Sequence, residues 1–208
     1  SVLADIPQFQ SEENEILSAP FTEKEVLEVI DQMKPNKAPG PDGFPAEFYK
    51  KCWHIVKDDL MPMFHDLFNG NLQLFHLNFG TITLLLKKEE AIRIEQFRPI
   101  CLLNVSFKII TEVLMNRLTM CLSPVISRTQ TAFTKGRYIM EGVVTLHEAL
   151  NTFHSKKRDA LTFKVDFEKA YDKIKWPFVI QMLNLKGFPD KWCDWVMHTM
   201  RGVRWGES

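Results

Sequence analysis

The stretch "LTFKVDFEKAYDKIKW" (residues 161–176) decides how this chain is read. Phe163, Val165 and Phe167 alternate with Thr162, Lys164 and Asp166, the period-two pattern of a strand buried on one face. The strand ends by presenting a carboxylate, Asp166, just before a turn. Acids at such strand ends hold ligands or metal ions in many α/β proteins. A surface acid pairing with a nearby lysine fits the same residues. Glu168 shares the face of Asp166 only if the strand continues, which Ala170 and Tyr171 do not guarantee.

Around this stretch the chain has the composition of a globular protein. It has 208 residues, 45% hydrophobic and 25% charged, enough to bury a sizeable core. No apolar run approaches the ~20 residues that span a bilayer. The N-terminal residues lack the basic start and apolar block of a signal peptide, so the expectation is an intracellular, non-secreted protein. Cys52, Cys101, Cys121 and Cys193 are scattered among apolar neighbours and are expected to be buried thiols. Without a secretion signal, the sequon Asn104-Val105-Ser106 reads as accidental. The formal net charge is zero, which argues against coating nucleic acid by bulk electrostatics. The cations instead cluster at Lys50-Lys51, at Lys87-Lys88 with Arg93 and Arg98, at Lys135 with Arg137, and at Lys156-Lys157-Arg158.

Residues 1–20 are polar and read as an irregular tail. Thr22 and Glu25 then form a capping box for a helix with the apolar stripe Val26, Val29, Ile30 and Met33, stopped by Pro35. "PNKAPGPDGFP" (35–45) is a rigid loop. From Pro45 the pattern is helical to Asn69-Gly70, with a kink expected at Pro62. "TITLLL" (81–86) and "RPICLLN" (98–104) are strand candidates. Helices are expected near 105–122 and 139–154, after Trp176-Pro177, and near 190–200. Helices are many and strands few, so the fold class is α+β and helix-rich.

Four ordered segments carry a resemblance over about residues 21–200. "FKVDFEKAYDKIKW" resembles the first palm motif of reverse transcriptases encoded by non-LTR (LINE-type) retrotransposons, especially the plant type. "NKAPGPDGFPAEFYK" (36–50) is similar to the family's N-terminal extension motif. "ITLLLKKEEAIRIEQFRPICLLNVSFKIITEVLMNRL" (82–118) is similar to its fingers motifs, and "TQTAFTKGRYIMEGVVTLHEAL" (129–150) to the next block. The resemblance implies an N-terminal extension and fingers region over 21–160, then the first palm strand and following helices over 161–208.

It also implies roles. Asp166 becomes a catalytic carboxylate binding Mg²⁺, with the backbone carbonyl of Phe167 as a further oxygen ligand. Tyr171 becomes the floor under the incoming sugar, excluding a 2′-hydroxyl; its residue-level reading is a half-buried core tyrosine. Lys87 and Arg98 become the fingers cations that close on the triphosphate. Without the family, Lys87 is one half of an exposed pair with no advantage over Lys88. Gly40, Asp42 and Gly43 become a loop near the template, although Pro and Gly explain that loop equally as a rigid turn. Lys135, Gly136 and Arg137 become contacts to a backbone phosphate, with surface solvation the competing reading. The implied partners are an RNA template, a DNA primer and dNTPs.

The match has departures. Relatives usually carry Pro at the positions of Leu86 and Lys135, so both turns are relaxed here. No Asp-Asp follows residue 172, and Asp58-Asp59 lies on a helix well before the palm. The expectation is a truncated right-hand polymerase, fingers plus the start of the palm, lacking the Asp-Asp hairpin and the thumb. One carboxylate cannot clamp two ions, so this chain alone is expected to lack activity. The function expected is that of a fragment of an RNA-directed DNA polymerase. The alternative is an inactive remnant that at most binds RNA or template–primer. An uncompleted palm strand would leave an exposed edge, favouring self-association.

Overall fold

In a computed structural model, the residues described are 9, 11–74, 77–122, 126, 130, 136–159, 161 and 173–201. Eight α-helices and one antiparallel hairpin follow in order among them: α1 (Ser11–Ser18), α2 (Glu23–Gln32), α3 (Ala46–Lys51), α4 (Trp53–Asn69), β1 (Gly80–Leu86), β2 (Phe97–Leu103), α5 (Val105–Cys121), α6 (Ile139–Ser155), α7 (Trp176–Leu185) and α8 (Asp190–Arg201). The helix-rich α+β class read from the sequence is the architecture observed. The strand expected over 161–167 lies outside the described residues, apart from Leu161.

The capping box of α2 forms as the sequence predicts: the Glu25 amide donates to Thr22 Oγ1 at 3.3 Å, and the Thr22 amide to Glu25 Oε2 at 3.5 Å. Three members of its apolar stripe, Val26, Val29 and Ile30, are fully enclosed at 0% exposure, and the fourth, Met33, is half-buried. Burying each such side chain contributes roughly 1.5–3 kcal/mol. The single helix expected from Pro45 is divided at Cys52, whose φ of −105° and ψ of 18° leave the helical region. Pro62 sits inside α4. That helix ends where the sequence places its stop, with Gly70 left-handed at φ 75°.

Two expectations are corrected. Residues 11–18 of the supposed tail form α1, whose Leu17 is completely buried and which packs on α5 and α8. The Phe9 amide donates to the Lys186 carbonyl at 2.9 Å, and Asn14 Nδ2 to the Gly187 carbonyl at 3.1 Å, tying this segment to the turn between α7 and α8. Cys101 is exposed rather than buried, and Cys52 is half-buried; Cys121 and Cys193 are buried as expected. Cys101 is open because β2 lies in a hairpin that no further strand covers among the described residues.

One continuous core joins the two ends of the chain. Phe64 of α4 and Trp195 of α8 both pack on Phe21, at ring separations of 5.2 and 4.9 Å. Phe9 stacks on Phe188 at 4.2 Å. At its centre Arg117 of α5, only 3% exposed, holds Glu25 through two nitrogens at 2.5 and 2.9 Å. It also donates to the carbonyls of Leu17, Ala19 and Pro20, and its guanidinium lies 4.2 Å from the Phe21 ring centre. The hairpin and α6 stand outside this core. Ile82, Leu84, Leu85 and Leu86 are 46–60% exposed, and no described side chain of α6 is buried. No helix among the described residues is long and apolar enough to cross a membrane.

Candidate nucleic-acid interface

The hairpin positions the first pair of candidate residues. Its register pairs Gly80 with Leu103, Leu85 with Arg98 and Leu86 with Phe97, and the ladder continues as the Lys87 amide donates to the Gln96 carbonyl at 2.9 Å. Directly opposed residues of an antiparallel pair point to the same side, and alternate residues share a face. Lys87, Leu85, Gln96 and Arg98 therefore lie on one face, with Lys87 and Arg98 as diagonal neighbours roughly 7 Å apart. The opposite face is apolar: Ile82, Leu84, Leu86, Phe97, Pro99 and Cys101. The sequence offered no reason to prefer Lys87 over Lys88. The structure supplies one, because the Lys87 amide still joins the ladder opposite Gln96 whereas Lys88 lies in the bend beyond it.

Both cations are exposed. The ammonium of Lys87 donates to the Glu95 carbonyl at 2.7 Å, folded back on the 3-10 turn Ile94–Gln96.

The second group, Gly40, Asp42 and Gly43, forms a single turn. The Gly43 amide donates to the Gly40 carbonyl at 3.0 Å, with Pro41 and Asp42 between, and the Phe44 amide donates to Asp42 Oδ1 at 3.1 Å. Asn36 enters the loop with φ 57°, and its amide donates to Glu47 Oε1. That bond, the amide of Glu47 itself and the charges of Lys50 and Lys51 together hold the Glu47 carboxyl below its ordinary value. Tyr49 of α3 is buried and interacts with Ser106 at the start of α5. Its phenol is pushed above its ordinary value by burial and by the charge of Asp42.

Asn104, which sequence reading treated only as a sequon, joins the loop to the hairpin. Its Oδ1 accepts the Asp42 amide at 3.2 Å. It stands at the N-cap of α5 yet makes no side-chain cap there. A legible signal existed: Asn just before an apolar helical run is a strong N-cap candidate, and here the acceptor is turned to another element.

Arg137 is committed to the backbone, donating from Nη1 to the Gln130 carbonyl at 2.7 Å and from Nη2 to the Ile126 carbonyl at 3.2 Å. Gly136 beside it has φ 79°. Lys135, Asp166, Phe167 and Tyr171 lie outside the described residues. The structure thus brings Lys87 and Arg98 together, and Gly40, Asp42 and Gly43 together. It sets the two groups at opposite ends of the hairpin, on the order of 20 Å apart by strand rise. Among the described residues no three His, Cys, Asp or Glu side chains gather as metal ligands.

Comparison with known proteins bears on this arrangement. The family model described as reverse transcriptase (RNA-dependent DNA polymerase) matches residues 86–207. Over 186 residues the chain is 27% identical to the Transposon TX1 uncharacterized 149 kDa protein of Xenopus laevis, a match covering 88% of this chain and 14% of that protein. Over 163 residues it is 25% identical to the Retrovirus-related Pol polyprotein from type-1 retrotransposable element R1 of Bradysia coprophila, covering 77% and 16%. The chain spans only about a seventh of the length of these relatives. The family match takes in Lys87, Arg98 and Asp166 and extends over more than half of the residues, so the chain belongs to the reverse transcriptase family, with homologues among the proteins of non-LTR retrotransposons.

Proposed function

We propose that this chain forms the fingers and first palm strand of an RNA-directed DNA polymerase from a non-LTR retrotransposon of the plant type. In the whole protein it helps extend a DNA primer on an RNA template with dNTPs. The observation that carries the reading is the shared face of Lys87 and Arg98 at the hairpin tip, inside the matched region. Two cations rooted at diagonal ladder positions, roughly 7 Å apart along the backbone, suit a triphosphate, whose negative charge accumulates as the phosphoryl group transfers.

Each residue has a task in this reading. Lys87 leaves the Glu95 carbonyl for a phosphate oxygen, and Arg98 offers a fork to a second one. Tyr171 excludes a 2′-hydroxyl under the sugar. The Gly40–Gly43 turn faces the template, while Lys135 and Arg137 approach a backbone phosphate. Asp166 and the Phe167 carbonyl form an oxygen-only donor set, which suits hard Mg²⁺, although they are fewer than a two-ion clamp requires. Bound there, Mg²⁺ supplies charge neutralisation at the phosphates.

The test is RNA-templated primer extension by the complete open reading frame that contains this chain. Asp166→Ala should abolish extension. Lys87→Ala should lower kcat/KM for dNTP by roughly 10- to 100-fold through loss of a charge-assisted bond. Extension by Asp166→Ala at the wild-type rate would sink the proposal.

A further inference from the structure

We infer that Asn104 is a positioning residue: its amide oxygen fixes the Gly40–Gly43 turn against the root of the β1–β2 hairpin and so sets where this loop meets a nucleic-acid strand. The inference rests on the reading above for the nucleic acid, and on geometry alone for the positioning.

Three observations converge. Asn104 spends its acceptor on the Asp42 amide, 62 residues away in sequence, and leaves the first turn of its own helix without a side-chain cap. An N-cap side chain stabilises its helix by typically ~1 kcal/mol, so an alternative partner must compensate. Gly40 is fitted to the same residue. A methyl group on it would overlap the Asn104 nitrogen and Oδ1 and the Leu103 carbonyl carbon, so no larger residue permits this approach. Tyr49 of α3, the helix that the loop leads into, is buried and interacts with Ser106 of α5. The turn is thereby held at Asn104, and the helix that follows it lies against the same start of α5.

What the loop displays gives its position a use. Phe44 is 45% exposed and stacks on Phe48 at 4.6 Å, while Lys37 stands exposed on the same loop. An exposed aromatic ring and a cation carried on one loop are the chemistry that takes up an unpaired base and its phosphate. A loop freed from Asn104 would still carry these groups without a fixed place for them.

The test compares the wild-type chain with Asn104→Ala and Asn104→Asp, the second keeping a carboxyl oxygen where the amide oxygen stood. Hydrogen–deuterium exchange over residues 36–45 reads the positioning without any ligand. Asn104→Ala should speed exchange at Asp42 and Gly43 by about fivefold, the equilibrium weight of one ordinary hydrogen bond, and Asn104→Asp should restore it. Unchanged exchange in Asn104→Ala overturns the positioning role. Fluorescence anisotropy with a 5′-labelled RNA annealed to a shorter DNA primer reads the consequence. Binding should weaken several-fold in Asn104→Ala and return in Asn104→Asp, with circular dichroism unchanged in both. Equal binding by wild type and Asn104→Ala overturns the link to nucleic acid. Absence of binding by the wild type overturns that link together with the proposed function, while the exchange result still decides the positioning.

Discussion

Replacing Arg117 should loosen the whole N-terminal half of the molecule. Its guanidinium makes a two-nitrogen bridge to Glu25 at 2.5 and 2.9 Å. It also donates to Ala19 at 2.6 Å, Pro20 at 2.9 Å and Leu17 at 3.4 Å. Removing one partner of a buried ion pair costs about 3–5 kcal/mol, because the other charge and its acceptors are stranded. Glu25 keeps 22% of its side chain exposed, so water can reach the abandoned carboxylate and the lower end of that range applies. The three carbonyls and the contact with Phe21 keep the figure from falling further, which gives ~3 kcal/mol for Arg117→Ala. For a protein of this length 1 kcal/mol shifts Tm by roughly 2–4 °C, so Tm should fall by roughly 6–12 °C. Arg117→Lys keeps the charge and loses the fork, and should fall about half as far. Glu25→Gln in both backgrounds completes a double-mutant cycle, read by calorimetry. A drop of less than about 2 °C for Arg117→Ala would refute the role assigned to this cluster.

Iodoacetamide at pH 8 should label Cys101 first, since its side chain is exposed, and leave Cys193 unlabelled until unfolding. Burial, then the charges of Asp190 and Asp194, push the Cys193 thiol up to about 11; mass spectrometry of peptides labelled at timed intervals checks the order. Glu47 has a lowered folded-state pKa, so its contribution is present above the ordinary value of 4.5 and is lost as pH falls through the folded value. Below that value the amides of the 36–45 loop should lose protection relative to their intrinsic exchange rates, whereas Glu47→Gln should show no such acid-dependent step. The chain expressed alone should self-associate through the bare hairpin, where Leu84 and Leu86 share the apolar face at 46% and 60% exposure. Light scattering should then show oligomers that Leu84→Lys with Leu86→Lys converts to monomer, and a monomeric wild type that melts cooperatively would count against this.

Most helices were legible because their signals are local. The Thr22–Glu25 box, the αL stop at Gly70 and the Trp176-Pro177 entry each act within one turn of chain. Helix α1 was not legible. "SEENEILS" has little apolar periodicity, and the segment is held by tertiary contacts: Leu17 in the core and Arg117 on the carbonyls that follow. Arg117 itself left a trace, since it falls on the same stripe as Ile110, Leu114 and Cys121. An arginine on a buried stripe requires a partner. What a sequence does not carry is the identity of that partner 92 positions away. The same limit hid the pairing of Asn104 with Asp42, and it left Lys87 and Lys88 equivalent until the strand register separated them.

The two ends of the hairpin hold their candidate groups in different ways, and the difference bears on the proposed function. At the root, the Asp42 amide meets an acceptor placed by the start of a 17-residue helix, and the close approach of Gly40 leaves little room for movement. At the tip, the Lys87 ammonium rests on a solvent-exposed carbonyl at the end of a flexible stem. The ammonium–carbonyl bond already has one charged partner and is worth about 1.5–3 kcal/mol. In the proposed role a phosphate oxygen adds a second, opposite charge, which favours its exchange for Glu95. Under the proposed function this difference gives the two groups different duties, a fixed one at the root facing the strand and an exchangeable one at the tip facing the nucleotide. Lys87→Ala would remove the cation at the tip and change nothing at the root, whereas loss of Asn104 would release the root without touching the tip.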